Sequence, residues 1–169
     1  MIFTIYCDGS TRGNGYEGAV GAWAYIIMEG EGSSGTKIVF SRAEAVDDTT
    51  NQRMELTAAI EALNKCMHDF IVPNVDKVVV YTDSAYLHNC YTQKWYWNWR
   101  KNGWVNSKKQ PVANQDLWEE LIKWFETPEI EFRKTKGHAD DTLNNLVDSM
   151  AQNASALRKK ERENACSNR

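Results

Sequence analysis

Four acidic side chains stand out by their neighbours. Asp8 follows an apolar stretch in "IFTIYCD", and Asp83 closes another in "DKVVVYTD". Glu55 and Asp148 each sit on the margin of an apolar stripe of helical spacing, the first beside Leu56, Ala59, Ile60 and Leu63, the second beside Leu143, Leu146, Val147 and Met150. Two carboxylates about 6 Å apart repel by roughly 3 kcal/mol at an effective dielectric of about 20. Four at one place would require protons or a cation. Oxygen donors alone favour the hard ions Mg²⁺ and Mn²⁺, which keep several waters and also take phosphates. Two such ions can activate a water and stabilise the leaving oxygen of a phosphodiester. Singly, each residue has a plainer reading. Asp8 and Asp83 can end strands and turn the chain, Asp148 can be an ordinary helical acid, and Glu55 can answer a helix dipole for about 0.3–1 kcal/mol. Spacing alone leaves both readings open.

The elements that must position these residues follow from periodicity. "IFTIYCD" (2–8), "AVGAWAYIIME" (19–29) and "TKIVFS" (36–41) read as three strands joined by hairpins. A helix at about 51–68 carries Leu56, Ala59, Ile60, Leu63 and Met67 on one face, with Thr50 or Asn51 as its cap. The unbroken apolar run in "DKVVVYTD" (76–83) suits a strand covered on both faces. Reached through a helix, that strand lies parallel to its neighbour. Helical pieces fill 84–102, another helix covers 115–126, "EIEFRKT" (129–135) makes an edge strand, and a last helix begins near 142. This is an α/β fold: a five-stranded mixed sheet, three antiparallel strands then two parallel, with helices on both faces. In it Asp8 and Asp83 emerge at one carboxyl edge, where open sheets place ligands. The expected organisation is one domain over 1–157, followed by a polar tail at 158–169 that frays.

Composition narrows the classes. With 169 residues, 42% hydrophobic and 25% charged, the chain has the make-up of a globular protein. No apolar run approaches the roughly 18 residues of a membrane span, and no signal peptide is visible. Cys7, Cys66, Cys90 and Cys166 form no CxxC pair, which fits reduced thiols and a cytoplasmic protein. "GNGYEG" (13–18) is a literal GxGxxG, but strand-like residues follow it where a dinucleotide site needs a helix, so it reads as a hairpin turn. The net charge of −3 hides an uneven distribution. From Ser84 to Gln115 there is no Asp or Glu, while Lys94, Arg100, Lys101, Lys108 and Lys109 stand among Trp95, Trp97, Trp99 and Trp104.

"DGS" after the first strand, "TNQRMEL" opening a helix, "YTDS" ending the central strand and "KGHA" ten residues before Asp148 resemble ribonuclease H, type 1, in family order from about 3 to 153. The resemblance implies that fold and an endonuclease hydrolysing the RNA strand of RNA–DNA hybrids by two-metal-ion catalysis, leaving 3′-hydroxyl and 5′-phosphate ends. By matching position Asp8, Glu55, Asp83 and Asp148 are its metal ligands, with Mg²⁺ or Mn²⁺ as cofactor, and His138 assists proton transfer or product departure. Asn14, Asn51 and Gln52 match contacts to the hybrid's minor groove, where a 2′-OH marks RNA. Thr50 and Asn114 match a pocket for a DNA-strand phosphate. The basic, aromatic island resembles the family's protrusion, at about 94–115. There Lys94, Arg100, Lys101, Lys108 and Lys109 supply salt-dependent attraction, Trp95 lies beside the DNA strand, and Trp99, Trp104 and Trp118 are core. The partner implied is the hybrid alone, with no membrane and no obligate protein partner, for a monomer.

Two departures stand against the pattern. Ala85 replaces the Gln that many members carry after "TDS", and no hybrid-binding domain precedes the motifs. A different nuclease or strand-transfer protein on the same sheet would lack the "TNQRMEL" and "KGHA" pair. A non-catalytic binding module would have lost a carboxylate.

Overall fold

The structure, a computed structural model, describes residues 1–13, 17–31, 37–70, 75–135 and 141–168. The elements in chain order are β1 (Ile2–Arg12), β2 (Val20–Glu29), β3 (Lys37–Asp47), α1 (Asn51–Asp69), β4 (Lys77–Thr82), α2 (Ala85–Gln93), α3 (Trp95–Asn102), α4 (Gln115–Phe125), β5 (Ile130–Lys134) and α5 (Thr142–Ser167). The sheet order is β3-β2-β1-β4-β5. β1–β2 and β2–β3 are antiparallel, whereas β1–β4 and β4–β5 are parallel. The mixed sheet read from the sequence is therefore the observed one.

Alternation along the strands divides the core in two. Phe3, Ile5 and Cys7 of β1 face one way, onto a cluster that includes Leu56, Leu63, Leu87, Trp118 and Leu121 from the helices α1, α2 and α4. Ala22, Ala24, Ile26 and Met28 of β2 face the other way, onto Val147 and Ala151 of α5. Each large side chain buried here contributes roughly 1.5–3 kcal/mol. Val78, Val79 and Val80 of β4 are fully buried, as an apolar run in a two-sided strand requires.

Close approach matters as much as apolar area. Ala58, Ala59 and Ala62 are fully buried and let α1 lie low on the sheet. A Cβ at Gly9 would come within 2.4 Å of the Glu55 backbone nitrogen, and one at Gly21 within 2.4 Å of Thr49 Cγ2. These glycines make room for the start of α1. Neither role is visible in the sequence, because a glycine inside a strand carries no periodic signal.

Three boundaries differ from expectation. β1 runs past Asp8 to Arg12, because Asp8 to Arg12 continue to pair with β2. β3 extends to Asp47, its second half hidden from a hydrophobic reading by the exposed charges Arg42 and Glu44 that suit an edge strand. The tail expected to fray at 158–169 continues α5 to Ser167 instead. Its Arg, Lys and Glu residues have high helix propensity. Arg158 Nη2 reaches Asp47 Oδ2 at 2.7 Å, and Arg162 Nη1 donates to the Gly18 carbonyl at 3.2 Å, tying this segment to the β1–β2 and β3 ends.

Replacing Gly21 with Ala forces Thr49 and Met54 outwards and should lower unfolding free energy by about 1–3 kcal/mol. Chemical denaturation of Gly21→Ala against wild type measures it, and an unchanged midpoint would show that α1 is free to shift.

Candidate active site

The parallel register fixes the first two carboxylates. Cys7 pairs with Thr82, so Asp8 and Asp83 occupy the next positions on adjacent strands. They continue the face that carries Tyr6 and Tyr81, whose rings stack 4.9 Å apart. Asp8 is only 4% exposed, and its Oδ1 accepts from the Gly9 backbone N–H at 2.8 Å. From above this face, α5 brings Asp148 into hydrogen-bond contact with Asp8. The outer side of Asp148 accepts from Gln152 Nε2 at 3.0 Å, one turn along the helix.

Glu55 arrives from the opposite side. α1 packs under the sheet, and its approach at Gly9 sets the Glu55 backbone beside β1 just beyond Asp8. Glu55 then reaches the edge where it hydrogen-bonds Ser84 and feels the charge of Asp83. Ser84 is buried and caps α2, its Oγ accepting from Leu87 N at 3.1 Å. The cap at Thr50 is also real, Oγ1 accepting from Arg53 N at 3.3 Å. The dipole reading of Glu55 is corrected: α1 begins at Asn51, so Glu55 lies in the second turn and the first turn holds no acid.

Electrostatics record the crowding. Burial, then the charges of Asp83 and Asp148, push the Asp8 carboxyl up to about 9. Burial also raises Asp83, with Asp148 adding to it, while Asp8's hydrogen bond and Lys134 oppose the rise. Burial raises Glu55, and the Ser84 bond opposes it. Among the described residues no three His, Cys, Asp or Glu side chains close into a ready metal cluster. The donor chemistry nevertheless fits a divalent cation: oxygens only, more negative charge than the site can hold unaided, and an edge open at the half-exposed Glu55 and exposed Asp83.

The remaining assignments divide sharply. Asn14 and His138 lie outside the described residues. Asn51 and Gln52 are exposed on the first turn of α1. Thr50 and Asn114 are brought together by Arg53, whose Nη1 donates to Asn114 Oδ1 at 3.3 Å and whose Nη2 reaches Asp116 Oδ2 at 2.8 Å. Sequence reasoning misses Arg53, since nothing in "TNQRMEL" reveals that α4 lies across from it.

Of the tryptophans after α2, Trp118 of α4 is fully buried and Trp99 and Trp104 are partly so, and all three pack into the core. Trp95 is half-buried, 6.2 Å from the rings of both Tyr86 and Trp99, with its Nε1 donating to Gln93. One flank still faces a cleft of about 620 Å³ with Asn98, Lys101 and Asn102 on its wall. Trp97 is the most open of these rings, at 51% exposure, with Lys94 Nζ 4.4 Å above it. Lys101, Lys108 and Lys109 are exposed, whereas Arg100 is paired with Glu126.

Residues 2–156 match the family model described as RNase H. The chain is 40% identical over 150 residues to the Ribonuclease H of Clostridium botulinum, covering 89% of this chain and 93% of that protein. The chain belongs to the ribonuclease H family. It is also 42% identical over 159 residues to the Ribonuclease H of Moorella thermoacetica, covering 94% and 95%. Among solved structures it resembles LC9-RNase H1, a type 1 RNase H with the type 2 active-site motif, at TM-score 0.70 and 28% identity, covering 92% of this chain and 72% of that one. As a ribonuclease H it is a nuclease that cleaves the RNA strand of RNA–DNA hybrids and depends on a divalent metal. No helix among the described residues is long and apolar enough to cross a membrane.

The carboxyl crowding makes a signed prediction. Because Asp8 titrates near 9 in the fold and near 3.8 when exposed, its contribution to stability is fully present below about pH 4 and is lost as pH rises towards 9. Metal-free Asp8→Asn should therefore be more stable than wild type at pH 8, by a few kcal/mol, because the folded wild type must hold there a proton that the unfolded chain gives up. The gap should close below pH 4, as followed by thermal melting in EDTA.

Proposed function

We propose that Asp8, Glu55, Asp83 and Asp148 are the metal ligands of this ribonuclease H and that two Mg²⁺ ions are its working cofactor. The observation that carries this reading is the meeting of Asp8, Asp83 and Asp148 at the parallel strand ends, with Asp8 forced out of the ordinary carboxylate range. Bound divalent ions supply a water acidic enough to attack phosphorus and a positive charge for the departing 3′-oxygen. The chain's own residues do the rest. Asp8, buried and backbone-anchored, is the fixed reference point of the site. Asp148 and Glu55 approach it from opposite faces of the sheet, and Ser84 restrains Glu55. His138, outside the described residues, assists proton transfer or product departure, a task an imidazole suits.

Substrate contacts follow from what is exposed. Exposed Asn51 and Gln52 read the minor groove and its 2′-hydroxyls, and Asn14, outside the described residues, shares that role by its place in the sequence. Thr50 and Asn114 hold a DNA-strand phosphate beside the Arg53 guanidinium. Trp95 and Lys101 border the cleft, and Lys108 and Lys109 extend its positive field along the DNA strand. The four cysteines are free and three are buried, which agrees with the cytoplasm as its compartment.

Labelled RNA–DNA hybrid, duplex DNA and duplex RNA, each offered with Mg²⁺ or EDTA, test the reading. Only the RNA of the hybrid should be cut, and only with metal. Asp8→Asn and Asp83→Asn should each lower the rate at least about a hundredfold. A variant cleaving at the wild-type rate removes its residue from the metal site.

Neutralising Lys101, Lys108 and Lys109 together should weaken hybrid binding and flatten its dependence on salt, by about 0.7–0.9 in log–log slope for each phosphate that no longer meets a cation. Fluorescence anisotropy across a salt series reads this, and an unchanged slope excludes the protrusion as a substrate contact.

A further inference from the structure

Among the described residues, three buried side-chain oxygens lack a hydrogen-bond partner: Thr11 Oγ1, Thr135 Oγ1 and Asn144 Oδ1. A hydroxyl can turn and serve as donor or acceptor, but an amide oxygen can only accept. Asn144 is 8% exposed, so this oxygen has given up its hydration without receiving a donor in exchange. Its place makes the unmet acceptor informative. The Asn144 backbone N–H is already engaged by Asp141 Oδ1 at 3.2 Å, in the first turn of α5. Asp141 lies close enough to Tyr6 to act on its hydroxyl, and Asp148, one turn beyond Asn144 on the same side of the helix, contacts Asp8. Asn144 therefore sits between the two points where α5 meets Tyr6 and Asp8 on β1. It shares the buried stripe of Val147 and Ala151.

The groups that flank it are the Tyr6 hydroxyl, which does not reach Oδ1, and carboxylates, which in ionised form offer no proton to an amide oxygen. A donor that belongs among carboxylates is a water on a divalent cation, its oxygen on the metal and its protons turned outwards. Mg²⁺ keeps several such waters. An amide can accept from one without adding another negative charge to a site already overloaded with them.

We propose that Asn144 is a positioning residue of the metal site, its Oδ1 accepting a hydrogen bond from a water in the cation's shell beside Asp148. This rests on the assignment of Asp148 as a metal ligand. Partners of this outer kind orient the ligands and hold the hydration in one arrangement.

Calorimetric titration of Mg²⁺ alone into the metal-free protein, with melting of each variant in EDTA, tests it. Asn144→Leu should melt at or above the wild-type temperature without metal, because it removes an unpartnered polar atom, yet bind Mg²⁺ about tenfold more weakly. Asn144→Ala, which adds no bulk, should show the same weakening. Asn144→Asp keeps an acceptor in place, so it should hold Mg²⁺ within about threefold of wild type while melting lower without metal. A merely structural Asn would give neither the split between melting and Mg²⁺ binding nor the rescue by Asp. Wild-type Mg²⁺ affinity in both Asn144→Leu and Asn144→Ala overturns the proposal, as does an Asp variant that binds no better than Ala. Asp148→Asn separates the two levels: undiminished Mg²⁺ binding there would remove the ligand assignment itself, and with it this role for Asn144.

Discussion

The carboxylate at Asp8 is the constraint around which the rest is arranged. It is buried, anchored to its neighbour's backbone, and set against two other acids. No packing argument favours such a group. Repulsion of roughly 3 kcal/mol per close pair is a substantial share of the 5–15 kcal/mol by which a domain is stable. The fold tolerates it because the surrounding structure is stiff. β1 is paired on both sides up to Cys7, and two separate apolar clusters cover the two faces of the sheet. Relaxing the repulsion would require strands to part or helices to lift, and both would expose apolar surface. Carboxylates that crowding and burial push towards protonation are thus held together by a core that prefers to be closed.

The two faces of the sheet contribute differently. α5 lies over Asp8 and delivers Asp148 directly onto it, on the side that strand alternation already assigned to Asp8. α1 lies on the other side, so Glu55 can join only by coming round the strand edge. That geometry needs the backbone of α1 nearly in contact with β1, and Gly9 provides it, since even a methyl group would collide with Met54 and Glu55. Three buried alanines, Ala58, Ala59 and Ala62, keep the same helix low beyond that point. Gly9 and Gly21 are site residues in this sense, although neither carries any chemistry.

Much of this was legible in the sequence, and the reasons are uneven. The strands β1, β2 and β4 and the helices α1 and α4 announced themselves by periodicity, because each buries a continuous stripe or run. Asp8 and Asp83 were readable because each follows an apolar strand, and the parallel pairing made them neighbours. Asp148 and Glu55 were readable only as anomalies on apolar stripes. Hidden features depended on partners distant in sequence. Arg53 meets Asn114 and Asp116 across 61 and 63 residues. Arg158 anchors the last helix on Asp47 across 111 residues, and without that tie the polar segment reads as a frayed end. The orphaned oxygen of Asn144 is likewise a property of three-dimensional surroundings. Trp95 and Trp97 show the converse difficulty: a run of alternating tryptophans gives no clue from spacing to which ring stays open, and the helix turned Trp97 outwards.

In the proposed reading one helix joins the two halves of the reaction. Thr50 caps α1, Arg53 reaches from its first turn to Asn114 and Asp116 of the α4 start, and Glu55 stands five residues after the cap at the carboxylate edge. The Arg53–Asp116 pair is 37% and 65% exposed, so screening leaves it worth at most about 1 kcal/mol. Its value is geometric. A planar guanidinium with several fixed donors sets the rotation of α4 relative to α1 more firmly than a flexible ammonium would. Tyr86 ties the same end of α4 to α2, its hydroxyl accepting from both Asn114 Nδ2 at 3.3 Å and Trp118 Nε1 at 3.1 Å. A shift of α1 would therefore move Thr50 and Glu55 together, and in the proposed reading this keeps the DNA-strand phosphate at a constant distance from the ions that cut the RNA strand. Recognition of one strand and cleavage of the other then stay in register because a single rigid helix, held low by small residues, carries a residue for each.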